Sequence, residues 1–478
     1  MLNTLRTWWQ DKLLRGVLKN SSYLFSSNTI SAALSMVNSV LATRLLGVDG
    51  LGLVATVQTF TSNINRLLSF RMSEVVVKYL GQVLAVEQNS KPDTGLSDRG
   101  KVNNPVQRPH AAAIVKGIAL VEAATSIIAY LVLLLLATWA ARVLAKDVSV
   151  TFLFPFYGLM LLANLVYETS TGVLQTHKRF DQLAIINTIQ SLLTAILILA
   201  AFLLKYGVLE VLGAYLLGKA FAGAGVTILA FRHMNRTAGR GWWRTSIKQE
   251  ADWRGILGFA INTNLNGTVN LIMRDNAPLY LAYLSPAAIA QTYVGYFKLG
   301  LSIINFITLP IDPFTWPTYA EITRTIALRQ WQRTRSLLFR VSSIAGVWTL
   351  AAAAGIAALG WWLIPVVYGP GTAPVYPVVL ILLVGYGTAN LLHWNRPLLL
   401  AFGKPSYPLM VALMVGAIEI LLTLWLVPQY GYLIMAAILA GYLAISIIIT
   451  AWRGWREIHT QEVHDLIQVE LAAKDIQG

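Results

Sequence analysis

The sequence predicts an all-α polytopic membrane protein of about 12 transmembrane helices, and three observations carry that prediction. Of 478 residues, 56% are hydrophobic and only 12% charged, with a mean hydropathy of +0.59; soluble domains carry about 25% charged residues. Apolar runs of about 20 residues, the length that crosses the hydrocarbon core, recur along the whole chain. Lys and Arg fall mostly on alternate connections between those runs.

The expected spans are 22–45, 51–70, 114–138, 150–173, 182–204, 207–231, 255–281, 286–309, 338–364, 375–395, 406–427 and 431–452. The N-terminus and every second connection after it hold 29 of the 37 Lys and Arg, against four (Arg44, Arg142, Lys146, Lys205) on the others. Cytoplasmic connections are the basic ones, so both termini are expected in the cytoplasm. The net charge of +15 is thereby a topology signal, and nucleic acid is not an expected partner. With no cysteine and no HExxH spacing among six histidines, neither a metal site nor a thiol nucleophile is expected.

Residues 1–20 interleave Trp8, Trp9, Leu13, Leu14 and Val17 with Arg6, Lys12, Arg15 and Lys19, the pattern of an amphipathic helix on the cytoplasmic membrane surface. An N-lobe, 21–231, holds six spans and a polar loop at 87–110 that lacks apolar periodicity and reads as mobile. A basic, Trp-containing cytoplasmic linker, 232–254, leads to a C-lobe of six more spans, 255–452, and a cytoplasmic tail, 453–478. Both halves start from the same side and open with two polar spans, which permits a parallel duplication.

Those opening spans carry polar stripes at helical spacing. Asn28, Ser31, Ser35 and Asn38 share a face in the first span, and Gln58, Ser62, Asn65 and Ser69 in the second. Asn262, Asn266, Asn270 and Arg274 follow at steps of four, then Gln291, Lys298, Asn305 and Asp312 at steps of seven. Unpaired polar groups cannot face lipid. Hydrogen bonding between helices is one outlet for them; four long stripes, each with a charge in or near it, point to a water-filled cavity between the halves.

Charges within spans also need a cavity or a partner. Lys219, Lys298 and Glu419 lie near span centres; Lys219 and Glu419 could pair with each other, whereas Lys298 sits on a stripe. Arg66 and Arg274 lie nearer span ends, where snorkelling is an alternative. Arg274 and Asp275 are adjacent, so a regular helix turns them about 100° apart, which disfavours a direct pair. Glu74 and Asp312 suit gate ion pairs with Arg71, Lys78 or Arg324. Glu122 and Glu168 are open between a structural role and carrying a coupling proton. Pro310, Pro313 and Pro317 predict a bent or broken end to the eighth span.

The turn Arg44-Leu45-Leu46-Gly47-Val48-Asp49-Gly50-Leu51-Gly52 resembles the R-L-L-G-x-x-G-x-G turn of polysaccharide flippases, as does the stretch from Phe70 to Tyr79, with Arg71 and Glu74. With the six-plus-six layout, the chain is similar end to end to the Wzx-type O-antigen flippases, relatives of multidrug (MATE) exporters. The resemblance implies two six-helix lobes around a central, alternately opening cavity in the bacterial cytoplasmic membrane. It implies as cargo an oligosaccharide on a polyprenyl pyrophosphate carrier, flipped from the cytoplasmic to the outer leaflet. Arg66, Lys219, Arg274 and Lys298 would then attract the pyrophosphate, and the stripe amides would meet sugars. Membrane lipids, and glycosyltransferases or a polymerase of the same pathway, are the implied partners. The 87–110 loop departs from the family pattern. No catalytic residue and no cofactor is expected, although H+ or Na+ could drive transport. A MATE-like drug or metabolite exporter is the alternative, and it would favour an acidic or aromatic cavity. A membrane glycan polymerase or ligase fits less well, because the outward connections, about 5–11 residues long, contain no histidine.

Overall fold

The computed structural model describes residues 12–68, 72–89, 107–247 and 253–477. Among these residues the chain is helical throughout, with short turns and no strand. In order the helices are α1 (Lys12–Leu68), α2 (Met72–Asn89), α3 (Gln107–Ala140), α4 (Leu153–Ala163), α5 (Tyr167–Thr176), α6 (Phe180–Leu203), α7 (Val208–Thr237), α8 (Trp253–Asn270), α9 (Ala277–Leu284), α10 (Ala290–Thr308), α11 (Thr315–Ala327), α12 (Trp331–Tyr368), α13 (Val375–Leu391), α14 (Asn395–Ala401) and α15 (Ser406–Gln477).

Two of these are long enough for two crossings. At 1.5 Å per residue, the 57 residues of α1 and the 72 of α15 far exceed a hydrocarbon core of about 30 Å. Each breaks at a glycine in the left-handed region, Gly47 (φ 72°) and Gly431 (φ 67°), which glycine adopts without steric cost. Each therefore holds two spans. Eight helical stretches among the described residues are long and apolar enough to cross a membrane, and the chain is a multi-pass membrane protein. The seventh and eighth expected spans, α8–α9 and α10, are not among the eight: their amides and charges lower their hydropathy too far.

Packing divides the chain into two units, Met1–Leu45 with Thr56–Leu271, and Leu46–Ala55 with Ile272–Gly478. In the first unit α2 packs on α3 and α5, α3 on α4, and α7 on α4, α5 and α6. Its core includes Val75, Val76, Leu80, Ile114, Ile118, Leu174 and Val226. The connection after α7 is pinned here: the Lys116 ammonium donates to the Thr245 carbonyl at 3.0 Å, and the Trp253 indole to that of Ile247 at 3.2 Å.

In the second unit α13 packs against α10, α12 and α15. Ile322, Leu338, Trp394, Leu398 and Ile458 form a cluster at one end. The short segment Leu46–Ala55 belongs here because two glycines let backbone meet backbone. A Cβ on Gly52 would lie 1.9 Å from the Gln291 carbonyl oxygen, and one on Gly295 2.2 Å from that of Val48. Beside them the Thr292 hydroxyl donates to the Asp49 carboxylate.

At the proline cluster α10 stops at Thr308 and a short turn, Asp312–Phe314, precedes α11. The polar 87–110 stretch is helical at both ends, to Asn89 and from Gln107. Its centre, 90–106, lies outside the described residues, as do 1–11 of the N-terminal segment and Arg71. The tail is helical from 453 to Gln477.

Candidate functional site

The fourth span is two helices rather than one. α4 stops at Ala163 and α5 begins at Tyr167, with non-helical backbone at Asn164 (φ −115°, ψ 28°) and Val166 (φ −135°, ψ 28°). The Asn164 amide donates to the Met160 carbonyl at 2.7 Å, so its side chain bonds the terminal turn of α4. Gly223 of α7 sits against the break: a Cβ there would fall 2.5 Å from the Ala163 carbonyl oxygen.

A break inside a membrane span frees the N–H groups of the second helix's first turn, and lipid offers them no acceptor. Glu122 of α3 supplies one. Its carboxylate accepts from the Glu168 and Thr169 amides, each at 2.8 Å, and from the Thr169 hydroxyl at 2.5 Å. A carboxylate at a helix N-terminus also complements the helix dipole. Glu122 is 2% exposed, and these bonds occupy both of its oxygens. Next to it the Glu168 carboxylate accepts from the Ser73 hydroxyl at 2.5 Å.

Beside this capped break lies a pocket of about 170 Å³ within the first unit, lined by polar groups together with Met160, Leu161 and Ala222. Four residues singled out in the sequence line it together: Asn65, Glu122, Glu168 and Lys219. Ser126, Asn164, Tyr167 and Gln190 line it too and were not singled out. Gln190 had left a signal, a long amide in an otherwise greasy span. Lys219 is solvent-accessible, and among the described residues no carboxylate lies within ion-pair distance of it.

Elsewhere in this unit part of the first polar stripe joins helices. The Ser191 hydroxyl donates to Ser31 at 2.8 Å, and the neighbouring Ser27 to the Ala184 carbonyl at 2.9 Å. Asn28 is exposed and Gln58 half-buried. Asn38 is buried, and its side-chain oxygen has no hydrogen-bond partner. Arg66 and Glu74 are exposed. Lys78, a suggested partner of Glu74, stands 3.9 Å from the Phe259 ring centroid. The side chains of Asn262, Asn266 and Asn270 lie outside the described residues.

In the second unit the Arg274 guanidinium contacts the Asp275 carboxylate at 2.9 Å, which corrects the expectation from a regular helix. The backbone at Leu271–Asp275 is a π turn, and this non-α geometry lets the guanidinium fold onto its neighbour. Asp312 feels the Arg274 charge, whereas Arg324 pairs with Glu321 at 3.9 Å. Glu419 is 4% exposed, with one carboxylate oxygen lacking any hydrogen-bond partner. It lies within electrostatic reach of Tyr280, Tyr386 and Tyr442. Neither Glu419 nor the half-buried Lys298 takes part in an ion pair among the described residues. Gln291 is half-buried and Asn305 exposed.

Residues 17–322 match the family described as polysaccharide biosynthesis protein. Inner membrane protein YghQ of Escherichia coli (strain K12) is 22% identical over 379 residues, covering 78% of this chain and 99% of that protein. Among solved structures, an inward-facing multidrug resistance MATE family transporter of the MOP superfamily superposes with a TM-score of 0.67 at 12% identity, over 90% of this chain and 95% of its own. A second MOP superfamily transporter, from Pyrococcus furiosus and described by a reverse polarity of its binding pocket, gives 0.60 at 12% identity over 93% and 95%. The fold is that of these transporters.

Proposed function

From the premise that the chain belongs to the polysaccharide biosynthesis protein family, we propose that it is a flippase for oligosaccharide linked to polyprenyl pyrophosphate. It would carry this cargo from the cytoplasmic to the outer leaflet by alternating access. The observation that carries the reading is the state of the charges inside spans. Lys298, half-buried within the eighth span, has no ion-pair partner among the described residues, while Glu122 is consumed by capping a helix. Unpaired ammonium groups at membrane depth suit an anionic cargo. Arg66, Arg274 and Lys298 are the groups proposed to draw the pyrophosphate, with stripe amides such as Asn28, Asn38, Gln58, Gln291 and Asn305 meeting sugars.

Placement in the bacterial inner membrane, with both termini cytoplasmic, is part of the proposal and is supported by the distribution of Lys and Arg. That orientation lets the membrane potential help, by about 2.3 kcal/mol per charge per 100 mV, as an anion leaves a negative interior. Coupling to H+ or Na+ would fall to the acids Glu74, Asp312, Glu122, Glu168 or Glu419, of which Glu419 has the free oxygen. The protein would act without a cofactor or a catalytic residue of its own, beside the pathway's glycosyltransferases or polymerase.

The second reading, a drug or metabolite exporter, draws on the MATE likeness. Cationic drugs would meet Lys219 and Lys298, which disfavours it. The Pyrococcus transporter is described as having a reversed pocket polarity that suggests a different function, so likeness to MATE transporters does not by itself favour drug export. Depleting the protein in its host separates the readings. A flippase leaves lipid-linked oligosaccharide on the cytoplasmic leaflet and strips glycan from the surface, with drug susceptibility unchanged. Heightened drug susceptibility with normal surface glycan would favour the exporter.

A further inference from the structure

We infer that the pocket beside the broken fourth span is a subsite for one neutral sugar ring of the cargo, separate from the groups that hold its pyrophosphate. This deepens the flippase reading and rests on it. The pocket's own charges select the ligand. Glu122 and Glu168 both line it, so a pyrophosphate would face two carboxylates. Lys219 lines it as well, so a cationic group would face an ammonium. What remains is a neutral ligand rich in hydroxyl groups, which can accept from the lysine and donate to a carboxylate.

The remaining polar lining fits that chemistry, and Met160, Leu161 and Ala222 leave an apolar surface for the face of a ring. Asn65, Gln190 and Ser126 add donors and acceptors from three different helices, and the Asn164 side chain, spent on Met160, keeps its carbonyl oxygen. The volume of about 170 Å³ is below the range of roughly 300–1,000 Å³ typical for drug-sized ligands. It suits a single ring rather than an oligosaccharide. The walls are preset: Glu122 is fixed by three hydrogen bonds and Glu168 by Ser73. Such a wall demands little ordering when a ring enters. Lys219, without an ion-pair partner among the described residues, is the group left to respond to the ligand.

Binding to purified protein tests this with two probes from the host, bare polyprenyl pyrophosphate and the same lipid carrying its oligosaccharide. Gln190→Leu and Lys219→Met should each weaken the glycosylated lipid by about tenfold, the scale of one lost hydrogen bond to a charged or buried group. The bare lipid should bind both variants as it binds the wild type. Lys219→Gln, which keeps a donor, should recover part of the loss and guards against a folding defect; melting temperatures check the same point. Equal loss for both lipids would assign the pocket to pyrophosphate and overturn the inference. No loss for either would make it a water-filled space and overturn it too. If the wild type binds neither lipid, the flippase reading itself fails, a separate result.

Discussion

Glu122 and Thr169, 47 residues apart in sequence, are joined by two hydrogen bonds: the carboxylate accepts from the Thr169 amide at 2.8 Å and from its hydroxyl at 2.5 Å. The pair holds a span that is broken along its length, and Glu122 itself lines the pocket beside the break. The helical stretch that begins at Val375 is also interrupted, between α13 and α14, and there the Asn395 amide donates to the Leu392 carbonyl at 2.7 Å. Discontinuous helices of this kind are where transporters place their binding groups.

Removing that cap should cost stability. Glu122→Ala leaves two backbone amides without an acceptor in a site that water hardly reaches, at about 1–3 kcal/mol each. We expect a clear fall in the melting temperature of the detergent-purified protein, and a smaller one for Glu122→Gln, which keeps one acceptor oxygen. An unchanged melting temperature in Glu122→Ala would show that the cap carries no weight.

Backbone contact at Gly52 and Gly295 predicts a sharp contrast among glycines. Gly52→Ala and Gly295→Ala would push a methyl group against the carbonyls of Gln291 and Val48. Overpacking of that sort costs about 1–3 kcal/mol. Gly81→Ala meets nothing within 4 Å in a helix and should be neutral or stabilising by about 0.5–1 kcal/mol. Thermal unfolding of the three purified variants measures the order.

Glu457 lies beyond the last span, in a stretch too rich in charge for hydrocarbon. Burial would raise its pKa, but hydrogen bonds from Lys404 and Gln461 and the charges of Lys404 and Arg453 outweigh burial and hold it below the usual carboxylate range. The folded form thus binds this proton less readily than the unfolded chain. The stabilisation is fully present above the ordinary carboxylate pKa and is lost as pH falls through the lowered value. Wild type should lose melting temperature from about pH 5 downward more steeply than Glu457→Gln. Parallel curves would contradict the assignment.

Lys298→Ala removes an ammonium with no ion-pair partner among the described residues and should cut surface-glycan display strongly while leaving expression and melting temperature intact. Arg274→Ala also removes the ion pair with Asp275, so both transport and stability should fall. Quantitative glycan blotting beside melting curves reads the difference. Normal display in both variants would remove the cationic account of cargo attraction.

Much of the fold was legible because it follows from solvent. Length and apolarity mark the helices. Gly47 and the three prolines near Asp312 mark breaks through local backbone chemistry. The paired functions were not legible. That Glu122 caps Thr169 depends on how α3 and α5 pack, and nothing local to either residue announces it. The Arg274–Asp275 contact was missed because the expectation assumed an α-helix where the backbone makes a π turn. Stripe residues divide for the same reason: Ser31 meets Ser191 across a helix pair, and spacing alone cannot distinguish that from a cavity wall.

The claim that this chain flips a glycosylated lipid is tested most directly in vesicles. Purified protein is reconstituted with host lipid-linked oligosaccharide in both leaflets, an ion gradient is imposed, and a membrane-impermeant glycosidase is added outside. In protein-free vesicles only the outer-leaflet glycan, about half, is cleaved, because a polar head crosses hydrocarbon very slowly. Wild-type protein should bring most of the remainder within reach of the enzyme, and Lys298→Ala should leave it protected. Protection in wild-type vesicles equal to that in protein-free ones would contradict the account.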